Sequence, residues 1–270
     1  MNAIFKIRGK SLVKVIKQVF KPVVFIFCVL FSLGMGYGSF GGAWWRFIPS
    51  TILIIAFTRL FYPKQWREYL GLRDTVQSVS IALLICVTLT FLFHAVTAFS
   101  LPESYQHMLG DFADYAVVPF QSLNEEFIFR ALFLSALLSI KLSRWKAILL
   151  PALLFSTFHY LFYAYNVVVE SRGLLDYSAL WSLFFFGMTM NVLFISTRSI
   201  LLPWAVHCAW NFNQFGSHIM AVSAPESRVP EYLSFNLLEG SSEVLILSFL
   251  AFVIVSYAVK DKIDSRKRSL

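Results

Sequence analysis

Residues 77–99 run without a single Asp, Glu, Lys or Arg. About 20 apolar residues in a helix match the hydrocarbon thickness of a bilayer. Within lipid, a helix is one of the two structures that satisfy their own backbone polar groups. The pattern recurs. Apolar runs long enough to cross, or nearly cross, a bilayer lie at 22–38, 46–62, 77–99, 113–140, 147–166, 178–196, 199–219 and 243–259. The second is short and needs tilt or local bilayer thinning. The fourth contains Pro119, where a kink or break is expected. These runs predict an all-α polytopic membrane protein with about eight transmembrane helices. Composition agrees: 58% of residues are hydrophobic and 14% charged, against about 25% charged in soluble domains.

Charge tests the topology independently. With a cytoplasmic N-terminus, nineteen of the 23 Lys and Arg fall on the inner side. Only Arg46, Arg172 and Arg228 fall outside, and Arg130 lies within a run. This asymmetry predicts that both termini are cytoplasmic. It also explains the net charge of +8 without nucleic acid, because the basic residues sit at span ends. Residues 1–21 form a basic amphipathic segment. Val13, Ile16, Val19 and Phe20 share one helical face and Lys10, Lys14, Lys17 and Lys21 another, a pattern suited to the membrane surface. Residues 22–259 read as one transmembrane domain, with a core at about 113–219, and 260–270 as a basic cytoplasmic tail. The outer loop at about 220–242 is the longest, and serves as a connector or a lid. Cys28, Cys86 and Cys208 all fall in apolar runs, which points to packing rather than a disulfide framework.

Against this background a few polar residues stand out. The fourth run carries Glu125, Glu126 and Arg130, the fifth His159, and the seventh His207 and Asn211. A charge at the bilayer centre costs about 2.5–3.5 kcal/mol even on insertion scales. These groups must therefore face one another or a wet cavity. Glu126 and Arg130 are four apart and share a helical face, so they can neutralise each other. Glu125 is rotated about 100° away and needs a partner from another helix, for which His159 and His207 are available. His207 and Asn211 also share a face, and Ser122 and Asn124 add polarity at the same level. At 1.5 Å per residue, Glu125, His159 and His207 lie about 22, 18 and 12 Å from the inner ends of their spans. With tilt, they can occupy one layer. His94 and His107, near a span end and in a loop, are left out of the set.

The pattern is E-E-x-x-x-R at Glu125–Glu126–Arg130, F-x-x-x-H at Phe155–His159 and H-x-x-x-N at His207–Asn211, on successive polar-bearing spans. It resembles the CAAX-protease and bacteriocin-processing (CPBP) family of intramembrane proteases, which includes the type II CAAX prenyl endopeptidases. The resemblance covers about 120–215. It implies a catalytic cavity within the bilayer and an intramembrane endopeptidase in which Glu125 activates water. His159 would orient that water or share in its activation, and His207 and Asn211 would stabilise the oxyanion. Glu126, Arg130 and Phe155 would support the site structurally. The implied partner is a membrane-embedded or lipid-anchored peptide or protein within the lipid bilayer, a prenylated one being one option. The short loops resemble bacterial members, implying a multi-pass protein of the bacterial inner membrane.

Two histidines and a glutamate can also bind zinc. Glu125, His159 and His207 would be the ligands. The chain lacks H-E-x-x-H, and metal-independent glutamate chemistry, with no cofactor, is the favoured reading. Two other classes use buried Glu and His. A transporter or proton relay would be expected to show paired broken helices in two related halves, and no such halves are visible. A non-catalytic membrane scaffold or immunity protein would keep the fold and tolerate loss of the Glu125 charge.

Overall fold

A computed structural model of the protein describes residues 23, 47–72, 76–101, 103–109, 112–139, 142–170, 177–214, 217–221, 224–228 and 242–259. The expected first span, the amphipathic segment at 1–21 and the tail at 260–270 lie outside them, apart from residue 23. The described chain is mostly helical. In order it forms α1 (Phe47–Phe61), the short α2 (Trp66–Tyr69), α3 (Val76–Ser100), β1 (Tyr105–Leu109) and α4 (Phe112–Glu126). A π-helical segment (Phe127–Leu134) and α5 (Ser135–Ser139) continue α4. Then come α6 (Arg144–Glu170), α7 (Tyr177–Thr197), α8 (Leu201–Gln214), β2 (Ser217–Ala221), β3 (Ala224–Arg228) and α9 (Ser242–Ala258).

Two helices, at 76–99 and 177–197, are long and apolar enough to cross a membrane, and those at 49–61 and 244–258 are shorter apolar helices. The outward faces are apolar too. Leu84 and Phe91 of α3, Leu153 and Phe158 of α6, and Ile254 and Tyr257 of α9 are all exposed. Water penalises such surface in proportion to its area, and large outward apolar patches mark lipid or partner contact. The apolar helices indicate an integral membrane protein.

The centre of the molecule is α7, which packs against α6, α8 and α9. Gly187 sets the closest approach: a Cβ there would sit 3.1 Å from Ala152 Cα and 3.5 Å from Phe155 Cδ1. In the same interface Asn191 Nδ2 donates to the Ile148 carbonyl at 2.7 Å. On the other side, α3 meets α8 through the small residues Ala82, Cys86, Ala205, Cys208 and Ala209. The turn into α8 is pinned from a distance. Ile200 N–H donates to the Gly71 carbonyl at 3.1 Å. Gly71 adopts φ +65°, with space for a Cβ closed off 2.8 Å away by Ile200 N.

Three expectations are corrected. The fourth run is not broken at Pro119, which lies inside α4. The α-helical pattern changes after Glu126, where the chain takes wider π turns. The seventh run does not remain helical to 219, because α8 ends at Gln214 and 217–221 are a strand. A small antiparallel sheet in the order β1-β2-β3 was not expected. It pairs Tyr105 with Ala221 through Leu109 with Ser217, and β2 with β3 across an irregularity at Met220/Ala221.

The Gly187 contact yields a test. Gly187→Leu should force α6 and α7 apart and destabilise the protein by about 1–3 kcal/mol, the usual range for overpacking. A fall in thermal midpoint in detergent would report it. An unchanged midpoint would show that this helix pair is not closely packed.

Candidate active site

The site is built where α4 and its π-helical continuation meet α6 and α8. Wider π turns inside α-helices recur at functional sites. Here the segment is buried at Phe127, Ile128, Phe129, Arg130, Ala131, Leu132 and Leu134, so it carries a charged residue through the core. Arg130 and Glu126 are both fully buried, with Nη1 and Oε1 3.0 Å apart. The pair is close but poorly aligned, leaving the guanidinium nitrogens and Glu126 Oε2 without a hydrogen bond. Phe155 gives the cation a second partner, its ring centroid lying 4.7 Å from Arg130 Cζ. Such a desolvated cation–π contact is worth about 2 kcal/mol.

Glu126 also accepts from His207 Nδ1 at 2.7 Å. One carboxylate oxygen therefore joins Arg130 to His207, a link the sequence reading missed. Glu126 and Arg130 share a helix and their spacing reveals the pair. The His207 contact joins residues 81 apart in sequence, and no local pattern signals it.

Glu125 points the other way, as the helical rotation required. Its Oε2 lies 3.2 Å from His159 Nε2 and 3.5 Å from His207 Nε2. Gln121 Nε2 donates to Oε1 at 3.4 Å. The Glu125 and His159 side chains are 17% and 21% exposed, while His207 is 3% exposed. The cluster thus opens on the Glu125–His159 side and is closed behind.

The protonation pattern can be read from the partners. His159 Nδ1 lies 2.8 Å from the Phe155 carbonyl, which can only accept, so Nδ1 carries the hydrogen. His207 Nδ1 likewise donates to Glu126 Oε1 at 2.7 Å. Both Nε2 atoms then face the same Glu125 oxygen. If both rings were neutral and Glu125 ionised, lone pairs would oppose lone pairs. A hydrogen on either Nε2 would let that histidine donate to Glu125.

Phe155 sits against both rings, with centroids 4.2 Å from His159 and 5.8 Å from His207. Phe129 meets it edge-on at 5.2 Å, and Phe186 lies 5.4 Å from His207. These contacts limit the tilt of both imidazoles. Asn211 is buried, and its Nδ2 donates to Ser122 Oγ at 3.1 Å. It lies one turn beyond His207 but engages Ser122 rather than Glu125. Asn124 reaches across to α1, donating to Thr51 Oγ1 at 2.7 Å. Trp204 Nε1 donates to the Pro119 carbonyl at 2.9 Å and ties α8 to α4. His94, set aside from sequence, contacts Asn213 Oδ1 through Nδ1 at 3.0 Å, joining α3 to the end of α8. His107 lies in β1. Among the described residues no group of three or more His, Cys, Asp or Glu is arranged to hold a metal ion.

Buried polar side chains on apolar helices define the class, a membrane protein with a polar centre. The narrower assignment comes from comparison. Residues 112–213 match the family of Rce1-like type II CAAX prenyl endopeptidases. That match, over 102 of the 270 residues, supports assignment to the CPBP, or CAAX-protease, family, a family of peptidases. No curated protein matches the chain, and no solved structure matches it.

The buried ion pair makes its own prediction. Removing one partner of a buried pair typically costs about 3–5 kcal/mol, because the other charge is stranded. Arg130→Met should destabilise the protein by that order in thermal unfolding. Adding Glu126→Gln should recover part of the loss. If the double variant is no more stable than the single one, Glu126 is not the stranded charge.

Proposed function

We propose that the chain is an intramembrane endopeptidase, hydrolysing a peptide bond in a membrane-associated protein or peptide. The observation that carries this reading is the partly exposed Glu125 carboxylate between two histidine Nε2 atoms, with every group behind it buried. The family match to a prenyl endopeptidase supports it. The substrate would be membrane-embedded or lipid-anchored, and the protein a multi-pass component of a bacterial inner membrane.

In this mechanism water binds at the open side, between Glu125 and His159. Glu125 takes a proton as the water oxygen attacks the scissile carbonyl carbon. His159, its Nδ1–H held by the Phe155 carbonyl, orients the water through Nε2. The carbonyl oxygen becomes an oxyanion and needs donors. His207 is suited when its ring carries both hydrogens, with Nδ1–H held by Glu126 and Nε2–H turned to donate. Asn211 supplies the second donor by turning its amide from Ser122. Such a donor contributes about 3–4 kcal/mol in acyl transfer. Collapse of the tetrahedral intermediate breaks the C–N bond, and Glu125 returns its proton to the leaving amine. Arg130 and Phe155 hold Glu126 and the two rings in place.

One observation favours a second version. Both histidines give their Nδ1–H to a carbonyl or carboxylate and turn Nε2 to a shared point, as zinc-binding histidines do. In that version Glu125, His159 and His207 would hold zinc, which supplies an activated water near neutral pH. The glutamate mechanism is preferred because the chain carries no H-E-x-x-H pattern.

The test compares membrane peptides from cells carrying wild type and variants by mass spectrometry. Glu125→Gln and His159→Ala should leave a precursor uncleaved while the protein still folds and inserts. Asn211→Ala should slow cleavage about 10²–10³-fold. Normal processing by Glu125→Gln would sink the hydrolytic mechanism. Loss of cleavage after chelation, with zinc found bound in stoichiometric amount, would select the metal version.

A further inference from the structure

The outward apolar surfaces are not alike. That of α3 carries no charge, as Val76–Ser100 contains no Asp, Glu, Lys or Arg. The outward face of α1 differs. Ile52, Ile55, Ala56, Arg59, Leu60 and Pro63 line a groove of about 610 Å³. The spacing of the first five, by three and four residues, places them on one stripe of α1, and Pro63 lies just past its end. Ile52 and Leu60 are 60% and 71% exposed. A guanidinium, Arg59, closes the stripe in the last turn of α1, where the helix dipole favours a cation. Arg59 has no hydrogen-bond or ion-pair partner among the described residues. Exposed Lys64 and Arg67 follow, and Glu68 is the single carboxylate within 47–72.

This end of α1 has the character of a membrane interface. Tyr62, Trp66 and Tyr69 cluster there. The Tyr62 and Tyr69 rings stack at 4.2 Å, and Arg67 Cζ lies 5.3 Å from the Trp66 ring centroid. Amphipathic aromatic residues concentrate at headgroup depth. An apolar groove that ends in a cation at that depth has the shape and charge of an amphiphile with an apolar chain and an anionic head.

We propose that this groove binds one anionic phospholipid. An acyl chain lies along Ile52, Ile55, Ala56 and Leu60, and the phosphate rests on Arg59 within the positive field of Lys64 and Arg67. A neutral isoprenoid would fill the apolar stripe but make no use of Arg59, so the charge selects the phospholipid. The site is independent of the chemistry at Glu125. It is linked to it structurally, because Thr51 of the same helix accepts the Asn124 hydrogen bond next to Glu125. A filled groove steadies α1 and hence that bond.

Native mass spectrometry and thermal unfolding of the purified full chain in neutral detergent test this directly. Dioleoyl phosphatidylglycerol should be retained as one bound lipid and raise the midpoint by about 3–6 °C near saturation. Dioleoyl phosphatidylcholine, farnesol and inorganic phosphate should each do much less. Arg59→Gln changes an exposed side chain and should weaken phosphatidylglycerol about fivefold, as expected for one basic contact. Ala56→Trp should fill the groove and block binding with Arg59 intact. Equal effects of the two phospholipids or of farnesol, a shift reproduced by phosphate alone, or undiminished binding by either variant would overturn the proposal.

Discussion

The interaction on which the rest depends is the buried chain Arg130–Glu126–His207. A carboxylate taken out of water is costly unless compensated. Here a single oxygen meets a guanidinium at 3.0 Å and an imidazole at 2.7 Å. The two contacts come from different sides, one from the π-helical continuation of α4 and one from α8. Neither helix can shift without exposing the Glu126 charge to an apolar core. This fixes the face of α8 that carries His207 and Asn211. It also leaves Glu125, one residue earlier, facing the other histidine.

Packing around the chain is aromatic rather than aliphatic at the critical points. Phe155 touches the guanidinium, both imidazoles, Phe129 and Phe186. It lies on α6 at the level where Gly187 brings α7 closest. The close α6–α7 contact therefore sets the depth at which Phe155, and with it His159, enters the site. A residue with no polar atom determines how the polar ones are aimed.

Much of the site was legible in the sequence because lipid makes polarity informative. In an apolar run each charge needs a reason, and the four-residue spacing of Glu126 and Arg130 supplied one. The 100° rotation of Glu125 called for a partner from another helix, with His159 and His207 as the candidates. The Glu126–His207 bond was hidden, since it depends on how two distant helices cross. Asn211 facing Ser122 was hidden for the same reason. Of the kink or break expected at Pro119, the break does not occur: the Pro119 carbonyl is held by Trp204 and the helix runs on. The π turns after Glu126 left no mark that periodicity could separate from an α-helix. The strand at 217–221 was lost at the end of a seventh run read by hydropathy alone, and that at 224–228 in a segment read as the outer loop.

The small sheet has a consequence for assembly. β1 immediately precedes α4, and β2 follows α8 by two residues, so their pairing joins the two ends of the segment that carries every site residue. Closing so large a loop costs entropy that the few strand hydrogen bonds cannot offset alone. The pairing becomes favourable once the intervening helices have already packed. The strands thus act as a clasp fastened last, and a chain interrupted between them would lose the fastening before it lost its helices.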